Sequence, residues 1–179
     1  MEFREGAFDF QTSQQNPCRQ YAEWISEALD CILVKADQVQ AVNVSDYDLM
    51  IFGAPIYAGR IDHHQFYDLN PAAKLIIFTV GMVNPDEIDF EPYLQRNFPQ
   101  HVIERAKFFH FRGALNFANL SWYHKLLLWA MKKFHLDKME FEELKPEERV
   151  ILEAYGQSTS YLDRSSIQPL IDYVRRMDV

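Results

Sequence analysis

The fold of this chain is decided by the stretch Asp48-Leu49-Met50-Ile51-Phe52-Gly53, a compact apolar run that ends in glycine. A second run at 74–81 has the same layout, and residues 107–111 read as a further strand. Continuous apolar runs of this kind are typical of strands that are buried on both faces. Such strands belong to parallel sheets that helices cover on either side, so the sequence predicts a doubly wound α/β fold.

Other elements are predicted around these strands. Helical spacing of apolar residues indicates helices at 18–29, 62–69, 86–97, 120–134, 146–155 and 165–177, and short strands are predicted at 7–11 and 32–34. The last helix also has a capping-box pair, Ser165 and Gln168. Sheets of this class bind ligands at the carboxyl ends of their strands, which directs attention to the loops at 12–18, 54–60 and 81–87.

Composition excludes several classes of protein. The chain has 179 residues, of which 48% are hydrophobic and 25% charged, as expected of a single globular domain spanning residues 1–179. Its net charge of −8 repels phosphate backbones, so no nucleic-acid partner is expected. No apolar run approaches the ~20 residues that span a bilayer.

Compartment and metal content are also suggested by the residues. The first five residues lack the layout of a signal peptide, and Cys18 and Cys31 cannot build a disulfide framework. We therefore expect a reducing, cytoplasmic setting. Histidines, cysteines and carboxylates show no metal-ligand spacing, so no metal is expected.

The loop at 12–18 is the first candidate site. It offers Thr12, Ser13, Gln15, Asn16 and Cys18 beside the first amides of a helix. Hydroxyls, side-chain amides and helix-start N–H groups together suit a phosphate. A plain polar helix cap has the same composition, so both interpretations stay open.

The second candidate site follows the strand at 48–53 and consists of Pro55, Ile56, Tyr57, Ala58 and Gly59. Proline stiffens this loop, glycine admits a close backbone, and the tyrosine ring suits stacking on a flat heterocycle. A surface tyrosine that closes the edge of the core is the alternative.

A third candidate is the strand end formed by Thr79, Val80, Gly81 and Met82, whose backbone suits the other side of a planar ligand. An ordinary strand end is equally compatible with this sequence. The segment 120–135 is typical of a core-packing helix, although its Trp, Leu and Lys content also suits contact with a quinone or a membrane surface.

Several of these stretches resemble a known family. The run from Tyr47 to Gly59 resembles the third strand and isoalloxazine loop of flavodoxins, and residues 78–82 and 109–116 strengthen the likeness. Arg112-Gly113 and residues 120–133 resemble the flavodoxin-domain branch that includes the menaquinone-dependent protoporphyrinogen oxidases.

The resemblance implies a five-stranded parallel sheet in the order 2-1-3-4-5 that binds one FMN without covalent linkage. The loop at 12–18 would hold the flavin phosphate, while Tyr57 and its neighbours would enclose the ring together with residues 79–82. The flavin itself transfers electrons, so no catalytic side chain is expected, and a redox protein or a quinone would be the partner. The acidic surface would disfavour the reduced anionic flavin and lower its potential.

One part of the sequence departs from the family pattern. Flavodoxins usually read Thr/Ser-x-Thr-Gly-x-Thr where this chain reads Ser13-Gln14-Gln15-Asn16-Pro17-Cys18. Asn16 replaces the glycine, Cys18 replaces the last threonine, and Pro17 removes one amide donor. Each lost charge-assisted hydrogen bond weakens phosphate binding by about 1.5–3 kcal/mol. The second hypothesis is therefore a flavin-free binding or interaction module on the same fold.

Overall fold

The computed structural model describes residues 2–5, 16–35, 38, 43–57, 59–61 and 68–177. Its strands are β1 (Glu2–Glu5), β2 (Ile32–Lys35), β3 (Leu49–Tyr57), β4 (Arg60–Ile61), β5 (Lys74–Gly81), β6 (Ala106–Arg112), β7 (Ala114–Asn116) and β8 (Ser158–Ser160). Its helices are α1 (Pro17–Leu29), α2 (Glu91–Asn97), α3 (Gln100–Arg105), α4 (Trp122–Phe134), α5 (Pro146–Ala154) and α6 (Gln168–Arg176).

The main sheet is mostly parallel, as predicted. Its order is β2-β1-β3-β5-β6, and every neighbouring pair along this order is parallel. The short β4 adds an antiparallel sixth strand at the end of β3, where Ile56 pairs with Ile61 and Tyr57 with Arg60. The α/β class is confirmed, whereas the described sheet has six strands instead of the expected five.

Alternate side chains of the central strands enter two cores, one on each face of the sheet. One face packs against α1 and α6 through Leu49, Ile51, Ile76, Phe78, Tyr21, Ile25, Leu170, Ile171 and Val174. The other packs against α2 and α3 through Met50, Phe52, Leu75, Ile77, Leu94 and Val102. Burial on both faces is the physical reason why β3 and β5 are continuously apolar in sequence.

Tyr21 ties the first of these cores together at the carboxyl end of the sheet. This fully buried residue of α1 donates its hydroxyl hydrogen to the carbonyl oxygen of Arg112 at 2.8 Å. The same hydroxyl oxygen accepts the N–H of Asp163 at 3.2 Å. One side chain thus joins α1 to the end of β6 and to the segment that leads into α6.

The structure corrects several sequence-based boundaries. Residues 54–57, expected as loop, extend β3, because β5 pairs with residues 54–55 in parallel and β4 pairs with residues 56–57 in antiparallel. Asp163 caps the short 3-10 turn Arg164–Ile167 that precedes α6, and its side chain accepts the N–H of Ser165 at 2.8 Å. The N-cap of α6 is Ile167, which makes no side-chain cap, so the capping box of Ser165 and Gln168 was wrong.

The start of the chain also differs from expectation. β1 at Glu2–Glu5 was not predicted, and it lies between β2 and β3 because its backbone pairs with both. The strand predicted at 7–11 lies outside the described residues, as does the helix predicted at 62–69 up to residue 67. The short pair of β7 and β8 and the helix α3 had no sequence signal.

Gly53 provides the first test, because a Cβ at this position would overlap the ring of Phe78 on the neighbouring strand. We expect Gly53→Ala to lower the free energy of unfolding by about 1–3 kcal/mol through overpacking. Adding Phe78→Leu makes room for the methyl group, so the double variant should lose less than the sum of the two single effects. Urea unfolding of the four proteins measures this, and strictly additive losses would contradict the packing described.

Candidate functional site

The ends of β3 and β5 lie side by side at the carboxyl edge of the sheet. Ala54 is in register with Thr79 and Pro55 with Val80. Just beyond, the position of a Cβ on Gly81 would stand 3.5 Å from the Cβ of Ile56. Two of the three candidate segments that were predicted from sequence are therefore brought together.

Only some of the predicted residues are accessible there. The side chains of Thr79 and Val80 are buried, so they contribute to the core and the strand ladder. Partly exposed positions of the two strand ends are Pro55, Ile56, Gly81 and Met82. These four form a narrow apolar strip, and the His110 ring packs so closely against Gly81 that an added Cβ would stand 3.1 Å from its Cε1.

The turn between β3 and β4 completes this edge. Gly59 has a φ of 74°, a conformation that favours glycine. Asn97 of α2 fixes the turn: its Nδ2 donates to the carbonyl oxygen of Gly59 at 3.2 Å, and its Oδ1 accepts the N–H of Ile61 at 2.9 Å. The side chain of Tyr57 and the whole of Ala58 lie outside what the structure describes.

His110 is a residue of this edge that the sequence analysis missed. Its Nε2 lies 3.3 Å from the carbonyl oxygen of Val83, which can only accept, so Nε2 carries the proton. Its Nδ1 then accepts the hydroxyl hydrogen of Thr79 at 2.8 Å. Burial lowers the pKa of His110 to about 4, and the nearby charge of Arg112 acts in the same direction. The neutral imidazole thus links β5, β6 and the segment that follows β5.

Arg112 and Gly113 hold the same segment from the end of β6. The Arg112 guanidinium lies 3.6 Å from the centroid of the Tyr161 ring, and its Nε donates to the carbonyl oxygen of Met82 at 3.4 Å. The N–H of Gly113 donates to the carbonyl oxygen of Gly81 at 2.7 Å. The Arg112-Gly113 pair was noticed in sequence only as a family marker, and its contact with residues 81–82 required the structure.

A small cavity of about 140 Å³ adjoins His110. Phe90 covers the imidazole, with 4.4 Å between the ring centroids. The cavity is lined by Thr79, Pro85, Phe90, Leu94, Phe108, Phe109 and His110. It is smaller than the ~300–1,000 Å³ of ligand pockets, so we do not regard it as a cofactor site.

The third candidate segment is described only from Asn16 onwards. Asn16 caps α1, and its Oδ1 accepts the N–H of Cys18 at 3.0 Å and that of Arg19 at 3.4 Å. Pro17 has no N–H to offer. Cys18 lies in the first turn of α1, and its side chain is buried in the core. The group through which Cys18 could contact a ligand is therefore its backbone amide. Thr12, Ser13 and Gln15 lie outside the described residues.

The described parts of the chain contain no group of three or more His, Cys, Asp or Glu residues placed to hold a metal ion. None of their helices is long and apolar enough to cross a bilayer.

The structure thus has a parallel sheet with the ends of β3 and β5 exposed beside the start of α1. A comparison with known families agrees with this arrangement, because the model of the flavodoxin domain matches residues 12–141. The chain belongs to the flavodoxin domain family. No curated protein sequence matches it. Among solved structures it is similar to the Trp repressor binding protein from Bacillus subtilis, with 16% identity, a TM-score of 0.43, and coverage of 64% of this chain and 84% of the other.

Members of this family typically bind FMN, and the described residues fit the two ends of that molecule unequally. The strip formed by Pro55, Ile56, Gly81 and Met82 suits one side of a planar ring, since it is apolar and partly exposed. The first turn of α1 does not suit a phosphate as it stands, because the amides of Cys18 and Arg19 already donate to Asn16. The residues at the ring end of the site fit FMN, whereas binding of its phosphate at the start of α1 requires the Asn16 side chain to move.

The buried His110 predicts a specific dependence of stability on pH. Its pKa of about 4 in the folded protein is below the ordinary 6.5, so the unfolded chain takes up the proton first as pH falls. Stability is therefore retained above pH 6.5 and lost between 6.5 and 4, by about 2–3 kcal/mol from pH 7.5 to pH 4.5. Urea unfolding at these two pH values should show a smaller loss for His110→Gln than for the natural chain. The exposed His101 is the matched control, and a His101→Gln variant with the same reduced loss would contradict the assignment.

Proposed function

We propose that this chain is an FMN-binding flavodoxin-type oxidoreductase that works by electron transfer. The observation that carries the proposal is the adjacency of the β3 and β5 ends at the carboxyl edge of the sheet, in a chain of the flavodoxin domain family. Support for the fold order 2-1-3-4-5 comes from the five parallel strands, with β4 as an addition to β3. Core contacts between α1 and α6 support treating residues 1–179 as one domain.

In this proposal the chain binds and orients the cofactor. Pro55, Ile56, Gly81 and Met82 would contact one side of the ring, and the side chain of Tyr57 would help to enclose it. Thr12, Ser13 and Gln15 would contribute donors to the phosphate. When bound, FMN supplies the capacity to accept and donate one or two electrons, so the protein needs no acid, base or nucleophile.

The segment after β5 is held in place before any ligand arrives. Thr79 and Val83 fix His110, while Arg112 and Gly113 fix Met82 and Gly81. Rigid backbone at a binding edge reduces the entropy lost on binding. These contacts support a role of residues 81–83 as a preorganised side of the ring site.

A narrower form of the proposal concerns the substrate and the partner. The likeness of Arg112-Gly113 and residues 120–133 to the menaquinone-dependent branch supports oxidation of a porphyrinogen, with a quinone or a redox protein receiving the electrons. A reducing, cytoplasmic setting is supported by Cys31, which forms no disulfide. Burial raises the pKa of the Cys31 thiol, which keeps it protonated and unreactive.

The test is a titration of the full-length protein with FMN, followed by quenching of flavin fluorescence. We expect saturable quenching with one FMN per chain. No quenching at millimolar FMN would overturn the proposal and favour the alternative, a flavin-free interaction module. The specific observation behind that alternative is the Asn16 side chain on the two amides of α1.

Asn16→Gly provides a sharper version of the same test. The change removes the Oδ1 acceptor to which the amides of Cys18 and Arg19 donate, so a phosphate oxygen could take the place of that acceptor. Gaining even one charge-assisted hydrogen bond, about 1.5–3 kcal/mol, should strengthen FMN binding by roughly tenfold or more. The cost to α1 is a few tenths of a kcal/mol, since glycine is also an accepted cap.

The matched control uses riboflavin, which has the same ring and no phosphate. Its affinity should be unchanged by Asn16→Gly. Equal strengthening of FMN and riboflavin, or none for either, would show that Asn16 does not compete with a phosphate.

A further inference from the structure

The helix α4 carries large apolar side chains on its outside. None of its residues is buried, although it has 13 residues and most of them are apolar. Six of its large apolar residues are exposed, by 43% for Trp129 up to 76% for Trp122, while Leu128 and Met131 are half-buried. The exposed set is Trp122, Tyr123, Leu126, Leu127, Trp129 and Phe134.

These side chains share one face of the helix. Trp122, Leu126 and Trp129 follow one another at spacings of four and three residues, so they form one row along the helix. Tyr123 and Leu127 are four residues apart, and Phe134 continues their row two turns later. We call this surface the outer face of α4; Lys133 is its charged member. The opposite side of the helix includes Lys125 and Lys132, which contact the protein. The Lys125 Nζ donates to the carbonyl oxygen of Ala118 at 2.7 Å, and Lys132 pairs with Asp137 at 2.6 Å.

This arrangement is the reverse of an ordinary surface helix, in which the apolar stripe faces the core. Single exposed apolar residues such as Ile32 and Leu69 need no explanation. A continuous apolar face of several large side chains marks a contact with another protein or with a membrane. The outer face of α4 therefore contacts either another protein or a membrane.

The distribution of charged residues distinguishes a protein partner from a membrane. The chain is acidic, with 26 Asp and Glu against 18 Lys and Arg, yet residues 105–136 contain no Asp or Glu. The basic residues in this span are Arg105, Lys107, Arg112, Lys125, Lys132 and Lys133. Arg105 and Lys107 lie where β6 begins, so the charged side chains of α4 itself are Lys125, Lys132 and Lys133, with no Asp or Glu among them. The helix therefore approaches anionic headgroups without the repulsion that acidic side chains would cause.

The residue types of the outer face favour the same occupant. Trp and Tyr prefer the interface between headgroups and acyl chains, and interfacial helices combine them with Leu, Phe and Lys. Contacts between proteins are instead depleted of lysine. A second copy of this chain would also place the Lys133 side chains of both copies in one apolar contact.

We propose that the outer face of α4 docks this protein on the surface of an anionic lipid bilayer. The helix lies in the interface with Trp122, Leu126 and Trp129 towards the acyl chains and Lys133 among the headgroups. The proposal does not depend on flavin binding.

The test uses the purified full-length chain and vesicles, without flavin. Vesicles of equimolar phosphatidylcholine and phosphatidylglycerol should carry the protein down on sedimentation, and pure phosphatidylcholine should do so more weakly. Tryptophan emission should shift to the blue, because two of the three tryptophans, Trp122 and Trp129, lie on the outer face.

Matched variants separate the outer face from general surface hydrophobicity. The double variant Trp122→Ser with Leu126→Ser should bind mixed vesicles roughly tenfold or more weakly, through loss of apolar burial. Its control is Ile32→Ser with Leu69→Ser, which removes exposed apolar side chains elsewhere and should bind as the natural chain does. Since all four residues are exposed, circular dichroism and urea midpoints should stay close to those of the natural protein.

Charge is tested by Lys133→Gln, which should weaken binding to mixed vesicles about fivefold and leave binding to phosphatidylcholine unchanged. Arg96→Gln on α2 is the control. Absence of vesicle binding, or equal loss in both double variants, would overturn the proposal. A dimer in light scattering that Trp122→Ser with Leu126→Ser abolishes, in a chain that binds no vesicles, would assign the face to a second copy instead.

Discussion

The pairing of β3 with β5 is the constraint on which the rest of the structure depends. The two strands are in register from Leu49 with Lys74 to Pro55 with Val80, and both faces of the pair are buried. The ring of Phe78 lies over Gly53, and the space between them is too small for the side chain of any other residue at position 53. Once this pair is fixed, α1 and α6 have a core on one face, α2 and α3 have one on the other, and the strand ends meet at one edge.

Most of the polar contacts at that edge serve to position backbone. His110 is kept neutral by burial so that it accepts from Thr79 and donates to Val83, while Arg112 and Gly113 bind the carbonyl oxygens of Met82 and Gly81. The ring side of the candidate site is thus built by neighbouring strands. The start of α1 is different, because the cap that stabilises the helix uses the amides that a phosphate would need.

The helix α4 shows how a correct helix prediction can leave the functional question open. Its apolar spacing was visible in sequence, and both a core-packing helix and a surface contact agreed with that spacing. A periodic pattern reports that one face of a helix is apolar, and it does not report which way that face points. Exposure of Trp122 and its neighbours shows that this face of α4 does not pack in the core, and it supports the proposed surface contact.

The sequence by itself determined the α/β class, the strands β3, β5 and β6, and the apolar face of α6, because burial on a regular element leaves a local hydrophobic period. It also identified the segments around 55–59 and 79–82 as candidate site residues. Only the tertiary structure decided that Glu2–Glu5 forms an inner strand, since its ladder bonds come from the backbone of β2 and β3. Only the tertiary structure also decided the roles of His110, Arg112 and Asn97. It likewise decided that β4 pairs with the end of β3 and that the apolar face of α4 points outward. Each of these depends on partners distant in sequence, and a local pattern carries no record of them.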